Sequence, residues 1–312
     1  MSKSSLKIRV ISWDIGSIKK DRKAWSQELQ KSWDIVMKRD FDILALCVQE
    51  DWNGKYGNLG ESIGKKLEDG YVMAYHVLNG PPDILKNPFS VKVFLYMKKT
   101  KGVAPNYSIA KDDVCLSRTV FCTKAAVGVS LSIFGFQIIV ISANLPTDPE
   151  KEDYGYKSKL KAMDKLFTKV YEKLVDHSVQ QRVSIIAGNL NFRDNTPITD
   201  GGSEVEDQLK YAMEGEKKTF RNFVEGDIKA FPPTCKLRTA KMRAELPCRK
   251  GTITKFDPSC YQNEERPSHC DRILYRLDNL TGRLLSYKSW GTADSIDFSE
   301  HNLVYADFEI TG

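Results

Sequence analysis

The chain has 312 residues, and its 47 lysine and arginine residues outnumber its 41 aspartate and glutamate residues, which gives a net charge of +6. With 41% hydrophobic residues the chain can bury a large core, so disorder and a fibrous fold are excluded. Since no linker rich in Pro, Gly or Ser divides the sequence, we expect one domain over residues 1–312. Basic residues cluster in the C-terminal third, where we expect a polyanionic partner to dock.

The seven cysteines, at positions 47, 115, 122, 235, 248, 260 and 270, are odd in number and include no C-x-x-C pair. This pattern indicates neither a disulfide framework nor a zinc site, and it favours reduced thiols. The residues before Trp13 carry scattered charges and no apolar run of signal-peptide length. We therefore expect a cytoplasmic protein, whose contact with an anionic membrane would be peripheral.

The predicted elements begin with a strand from Lys7 to Trp13, which is rich in β-branched residues and ends at Asp14. Helical spacing over 24–39 and an apolar run over 43–48 predict a helix and an internal strand. The same patterns predict helices at 156–176 and 204–214, and further strands at 71–77, 91–97, 118–123, 125–143 (a hairpin), 183–187, 272–277 and 303–310. This mixture indicates a layered α/β protein with sheet packed on sheet.

Residues 125–147 carry no charge, and an uncharged stretch of about 20 residues can span a membrane. Here, however, Val127, Val129 and Leu131 alternate with smaller residues, and Phe134-Gly135 interrupts the run. A period of two is typical of a strand, so the segment predicts a buried β-hairpin rather than a membrane span.

Polar side chains follow several of the predicted strands directly. They are Asp14, Glu50, Asn144, Asn189 and Asn191. Active sites are often built on the loops at such strand ends. We therefore expect these residues to converge at one edge of the sheets.

Four later segments are more specific in sequence. They read G-N-L-N-F-R at 188–193, F-P-P-T-C-K at 231–236, P-S-H-C-D-R-I-L at 267–274 and S-E-H at 299–301. With Q-E at 49–50, their order resembles the inositol polyphosphate 5-phosphatase family. That family carries Q-E, S-H-L, G-D-L-N-[YF]-R, F-P-P-T-Y-K, P-S-W-C-D-R-I-L and S-D-H in this order. The resemblance covers nearly the whole chain, although no single segment would suffice.

The resemblance implies an α/β fold, a four-layer α/β/β/α sandwich of two mixed β-sheets flanked by helices (DNase I-like), of the endonuclease/exonuclease/phosphatase superfamily. It also implies Mg²⁺-dependent hydrolysis of the 5-phosphate of phosphoinositides or soluble inositol polyphosphates. Such a reaction needs oxygen ligands for the cation, a group that positions water, and donors to the phosphate oxygens.

For the metal, Glu50 matches the family's metal-binding glutamate, and Asp14 stands where the family has an asparagine near that metal. Asn189 replaces the aspartate that activates or positions the attacking water. An amide accepts a hydrogen bond from water but takes up no proton near neutral pH, so general-base assistance of about 10²–10⁴-fold would be lost. For Asp14, capping of a turn is an equal alternative.

Among the other candidate catalytic residues, Asn191 and His301 match family residues that contact the scissile phosphate. Asn144 replaces the histidine of S-H-L and so can donate to a phosphate only as a neutral group. Glu300 replaces the aspartate that orients the histidine, with one more methylene. Asp271 is retained from the family motif.

Lys124, Lys236 and Arg272 match positions that imply substrate binding, and Lys236 would read additional phosphates on the inositol ring. Further basic residues surround Lys236 at 238, 241, 243, 249 and 250. Several fixed cations suit a ring with several phosphates, but a basic stretch is often only a solvated loop. For Asp271 and Arg272, a structural ion pair is the alternative.

Three functions remain open from the sequence. The first is a working 5-phosphatase in which Asp14 partly compensates for Asn189. The second is a catalytically impaired pseudophosphatase that binds phosphoinositides or a protein partner. The third, a nuclease or sphingomyelinase of the same superfamily, is weakened by the F-P-P-T-x-K and P-S-x-C-D-R motifs, so no nucleic acid partner is expected. The sequence leaves the oligomeric state open.

Overall fold

The computed structural model describes residues 5–16, 41–52, 66–67, 69–78, 89–99, 107–116, 122, 124–133, 135–148, 155–193, 207–216, 220–238, 258–262, 267–290 and 299–311. The predicted helix at 24–39 lies outside these residues. So does the strand predicted at 118–123, apart from Cys122.

The first sheet has six described strands, and β1 and β2 are its one parallel pair of neighbours. The strands are β1 (Ser5–Asp14), β2 (Ile43–Trp52), β3 (Tyr71–Leu78), β4 (Phe89–Lys98), β11 (Thr281–Trp290) and β12 (Leu303–Thr311). Their order across the sheet is β11-β12-β1-β2-β4-β3.

The second sheet repeats this plan, with a central parallel pair formed by β7 and β8. Its strands are β5 (Ser108–Cys115), β6 (Ala125–Ile133), β7 (Phe136–Asn144), β8 (Arg182–Asn189), β9 (Val224–Glu225) and β10 (Asp271–Asp278), in the order β5-β6-β7-β8-β10-β9. Two mixed β-sheets of this kind confirm the predicted DNase I-like fold class.

The two sheets pack face to face, because alternate residues of their strands are apolar and point inward. Ile8 and Val10 of β1 lie in one buried cluster with Val183 and Ile185 of β8. The predicted hairpin is confirmed as β6 and β7. Among the described residues, no helix has the length and apolar character needed to cross a membrane.

A long helix covers the outer face of the second sheet. Helix α1 (Tyr156–Leu166) continues through a π-helical turn (Phe167–Tyr171) and a last turn at Glu172–Leu174, which agrees with the predicted helix. Met163 and Leu166 pack in one apolar cluster with Ile139 of β7. A second helix, α2 (Gln208–Gly215), begins after Asp207, whose side chain accepts hydrogen bonds from two backbone N–H groups of its first turn.

The expectation of reduced thiols is wrong for five of the described cysteines. Cys115 is bonded to Cys122 and Cys235 to Cys270, and Cys260 is also disulfide-bonded. The odd cysteine count concealed these pairs because Cys47 is a free thiol buried between the sheets, where burial raises its pKa. The expected cytoplasmic location rested in part on reduced thiols and loses that part of its support.

Candidate active site

The predicted strand-end residues do converge, because the pairing of the strands brings the relevant ends to one side of the molecule. Parallel β1 and β2 place Asp14 and Glu50 at their C-terminal ends. Parallel β7 and β8 do the same for Asn144 and Asn189. Antiparallel β10 begins opposite the end of β8, so its first residue, Asp271, joins them.

Three side chains form a row across the second sheet. In the strand register Asn144 lies opposite Asn189, and Asn189 lies opposite Asp271. Asn189 Nδ2 also donates to Asp14 Oδ2 across 2.7 Å. Since Asp14 belongs to β1, this hydrogen bond joins the row to the first sheet.

A glycine allows the row to form, because β8 approaches β7 very closely at Gly188. A Cβ at this position would lie 1.8 Å from the carbonyl oxygen of Ala143. Two residues past the strand, Asn191 adopts a left-handed φ of 54° and donates from Nδ2 to Leu145 O over 2.8 Å. Asparagine tolerates this backbone conformation better than most residues do.

A bulge in β2 sets the orientation of the Glu50 side chain. The register between β2 and β4 shifts between Val48 and Asp51, and Glu50 has a φ of 56°. Bulges next to active sites commonly redirect a side chain. Glu50 Oε1 then lies 3.1 Å from Lys124 Nζ, which is also 2.9 Å from Asn144 Oδ1.

His301 is held by Asp271, not by its chain neighbour Glu300. Its Nδ1 lies 2.8 Å from Asp271 Oδ2, and both side chains are buried. Burial alone would lower the pKa of His301, but Asp271 and Asp14 outweigh burial and raise it above its ordinary value. The sequence implied that Glu300 orients His301, and this assignment is wrong. The Glu300 carboxylate instead accepts a hydrogen bond from Lys236 Nζ at 3.1 Å.

Arg272 lies in a buried ion-pair network and not at a surface that a ligand could reach. Its guanidinium is fully buried, with Nε 2.6 Å from Glu225 and Nη2 2.7 Å from Asp207. Although burial opposes its charge, these carboxylates hold the pKa of Arg272 well above its ordinary value. We revise its assignment accordingly, because the structural ion pair accounts for it and leaves no free edge for a phosphate.

The side chains at this edge offer oxygen ligands for a divalent cation. Among the described residues, no three His, Cys, Asp or Glu side chains group together as metal ligands do. Magnesium, however, is commonly held by one or two carboxylates together with substrate and water. Asn189 Oδ1 and Asp271 Oδ1 are buried oxygens with no hydrogen-bond partner in the described part of the chain. With the carboxylates of Asp14 and Glu50 nearby in the fold, this oxygen-rich edge fits a hard cation.

Two hydroxyl groups at the site were missed by the sequence analysis. Ser299 Oγ donates to the backbone oxygen of Asp14 (2.6 Å) and accepts from His301 N (3.0 Å). Thr234 Oγ1 accepts from Asp271 N at 3.1 Å. Both residues belong to motifs that were recognised. Their partners Asp14 and Asp271, however, are distant in sequence, so these hydrogen bonds leave no local sequence pattern.

The model of Endonuclease/Exonuclease/phosphatase family 2 matches residues 11–307. The chain belongs to this family. Phosphatases of the family generally use a divalent metal, in agreement with the oxygen-rich site. A search of curated proteins found no match.

Three solved structures share the fold of this chain at low sequence identity. The inositol polyphosphate 5-phosphatase domain of spSynaptojanin, in complex with inositol (1,4)-bisphosphate and calcium, is 17% identical with a TM-score of 0.64, over 99% of this chain and 85% of that one. A Cimex nitrophorin is 15% identical with a TM-score of 0.60, over 99% of both chains. TDP2 from D. rerio, with a single-strand DNA product, is 13% identical with a TM-score of 0.56, over 97% and 98%.

Proposed function

We propose that this phosphoesterase-family chain removes the 5-phosphate from phosphoinositides or soluble inositol polyphosphates, with Mg²⁺ as cofactor and slow turnover. The observation that carries the proposal is the buried Asp271–His301 pair beside two buried oxygens that lack a partner in the described chain. A histidine with a raised pKa supplies a positive donor to a phosphate oxygen. Oxygens that lack a partner suit a cation or the water around it.

The order of the motifs supports this substrate class, as does the ligand of one structural neighbour, inositol (1,4)-bisphosphate. In the proposed reaction Glu50 and Asp14 would hold the cation, which when bound polarises the phosphoryl group. Asn191 and Asn144 donate to phosphate oxygens. Lys124 and Lys236 attract the anionic ligand, and contact with an anionic membrane surface is peripheral.

Asn189 limits the reaction in this proposal. Its side chain is buried next to Asp14 and Asp271, where the amide oxygen can orient water but cannot accept a proton. This feature also favours a second candidate function, a pseudophosphatase that binds the same ligands without turnover or recruits a protein partner.

The decisive experiment compares the wild-type chain with Asn189→Asp. Phosphate release is measured from phosphatidylinositol 4,5-bisphosphate vesicles and from inositol 1,4,5-trisphosphate, with magnesium or EDTA. We expect slow magnesium-dependent release by the wild type and a gain of about 10²-fold in the variant, because the carboxylate restores a general base. Asn279→Asp is the matched control, since Asn279 lies in the turn at the other end of β10.

Each result has a distinct meaning. Binding without turnover by the wild type, together with release by Asn189→Asp, supports the pseudophosphatase. Equal, robust rates in the two chains contradict the role given to Asn189. If neither chain binds or hydrolyses either ligand, both functions are wrong.

A further inference from the structure

A buried ion pair between Lys92 and Asp51 lies directly beside Glu50. Lys92 Nζ is 2.7 Å from Asp51 Oδ2, and the two side chains keep only 2% and 5% of their exposure. Asp51 follows Glu50 near the end of β2, and Lys92 lies on the neighbouring strand β4. Neither residue belongs to the sequence motifs, and the proposed reaction uses neither of them.

The ion pair spans the bulge that orients Glu50. On one side of the bulge Val48 is the register partner of Lys92, and on the other side Asp51 is the partner of Ser90. Two residues of β2 therefore lie opposite one residue of β4. Because Lys92 belongs to the first of these paired positions and Asp51 to the second, their ion pair joins the two ends of the bulge.

Both chain neighbours of Glu50 are anchored, and they are anchored on opposite faces of the first sheet. Gln49 Nε2 donates to Ser142 Oγ of β7 at 2.9 Å, so Gln49 faces the second sheet. Lys92 alternates along β4 with residues of the core between the sheets, so Lys92 and its partner Asp51 face the other way. The left-handed φ of 56° at Glu50, which is unfavourable for glutamate, is held between these two anchors.

Stability alone does not explain a buried ion pair in this place. The attraction between the two charges must first offset the cost of removing both from water, and a well-packed uncharged pair is often at least as stable. The pair does, however, fix a geometry, because it permits one separation between the residues that flank the bulge. The residue whose direction depends on that separation is Glu50.

We infer that Lys92 and Asp51 are positioning residues, whose ion pair fixes the β2 bulge so that Glu50 presents its carboxylate to the cation. The inference rests on the proposed function, because it takes Glu50 to be a ligand of Mg²⁺. It goes beyond that function in naming two residues that set the affinity for the ion without touching it. Replacement of groups that orient a metal ligand typically weakens metal binding by about 10–100-fold.

The test removes both charges at once, in Asp51→Asn/Lys92→Gln, so that no buried charge is left without its partner. Magnesium affinity is measured by titration calorimetry with the ion alone. We expect this variant to bind Mg²⁺ about tenfold more weakly, while its melting temperature stays near that of the wild type. Asp51→Leu/Lys92→Met, which replaces the pair by apolar side chains, is measured in parallel and should show the same loss. Lys92→Arg keeps the charge and should keep most of the affinity.

The matched control is another buried ion pair of the first sheet, in which Arg9 Nε lies 2.6 Å from Asp307 Oδ1. This pair joins β1 to β12, whose register is regular. Arg9→Gln/Asp307→Asn should therefore leave the magnesium affinity unchanged. Amide hydrogen exchange measured by NMR is a readout that needs no metal. Exchange at residues 48–52 should be faster in both uncharged Asp51/Lys92 variants and unchanged in the control.

Wild-type magnesium affinity in the uncharged variants, or unchanged exchange at residues 48–52, would overturn the inference while leaving the proposed function intact. An equal loss of affinity in the Arg9/Asp307 control would do the same, because the effect would then belong to the sheet as a whole. If the wild type itself binds no Mg²⁺, the proposed function loses its cofactor and the inference fails with it.

Discussion

His301 Nδ1 and Asp271 Oδ2 lie 2.8 Å apart, although the two residues are 30 positions apart in the chain and are positioned by different sheets. His301 lies two residues before β12 of the first sheet, and Asp271 begins β10 of the second. Together with the hydrogen bond between Asn189 and Asp14, this contact joins the two sheets at the site. The histidine's protonation is therefore set by groups that only the folded chain brings together.

We predict that the pKa of His301 lies above 6.5 in the folded chain and falls in Asp271→Asn. Burial lowers the pKa, and the Asp271 and Asp14 carboxylates outweigh it; once Asp271 loses its charge, burial has the larger effect. The protonated histidine stabilises the fold fully below its unfolded pKa, and this contribution is lost as pH rises through the folded value.

Titration of the histidine resonances by NMR measures this pKa, and denaturant unfolding at several pH values measures the linked stability. Asp278→Asn, at the opposite end of β10, is the control and should leave the His301 titration unchanged. An unchanged His301 pKa in Asp271→Asn would contradict the electrostatic role of this carboxylate.

Replacement of Arg272 tests its structural role. Arg272→Met leaves Glu225 and Asp207 as buried carboxylates without their cation, so we expect a loss of about 3–5 kcal/mol in the free energy of unfolding. Arg283→Met removes an ion pair with Glu309 whose arginine side chain is 73% exposed, and should cost less than about 1 kcal/mol. Similar losses in both variants, measured by urea unfolding, would argue against a special role for the buried network.

Gly188→Ala should disturb the site and the fold together. The added methyl group would meet the Ala143 carbonyl oxygen at 1.8 Å, so β7 and β8 would have to separate between Asn144 and Asn189. We expect a loss of roughly 1–3 kcal/mol, as for overpacking elsewhere. In Gly215→Ala, where no atom lies within 4 Å of the added Cβ, the melting temperature should stay near that of the wild type. A Gly188→Ala protein of wild-type stability would show that the strands are not closely packed there.

A divalent cation should stabilise the folded chain. In the proposed function Mg²⁺ binds the native site and not the unfolded chain, so millimolar magnesium should raise the melting temperature relative to EDTA. Glu50→Gln should reduce the increase by removing a ligand charge, whereas Glu214→Gln on the exposed face of α2 should not. If magnesium stabilises Glu50→Gln as much as the wild type, Glu50 is not a ligand. Calorimetric titration with the ion alone provides a second readout.

Removal of the Cys235–Cys270 bond tests its contribution beside the site. The double variant Cys235→Ser/Cys270→Ser should lose about 2–4 kcal/mol of stability, since the bond closes a loop of 35 residues. It should also bind inositol phosphates more weakly, because Lys236 and Asp271 follow the two cysteines. Arg283→Met, on the exposed surface of the first sheet, is the control, and its ligand affinity should not change. If the double variant binds inositol phosphates as tightly as this control, the disulfide does not position Lys236 and Asp271.

The sequence predicted the elements with clear apolar periodicity. Strands such as β1, β7 and β8 are buried along nearly their whole length, so their β-branched runs are unambiguous. By contrast, β5 is an edge strand whose residues remain largely accessible, and Lys111, Asp112 and Asp113 give it no alternation. The strand β11 was missed for the same reason, since several of its residues face solvent.

The site residues were found because they lie within motifs or directly after strands. The partners of those residues could not be found in this way. Glu300 faces Lys236 rather than His301, and Arg272 is neutralised by Asp207 and Glu225, because strand pairing decides which distant side chains meet. Disulfide connectivity depends on the same long-range geometry.

The row formed by Asn144, Asn189 and Asp271 has a consequence for how this protein could change over generations. Asparagine and aspartate have the same size and shape, and their codons differ by a single base. A point mutation at the middle position would therefore exchange a neutral group for a proton acceptor while every neighbouring strand stayed in register. Under the proposed function, this single-base change would convert a chain that holds a phosphorylated ligand into one that cleaves it.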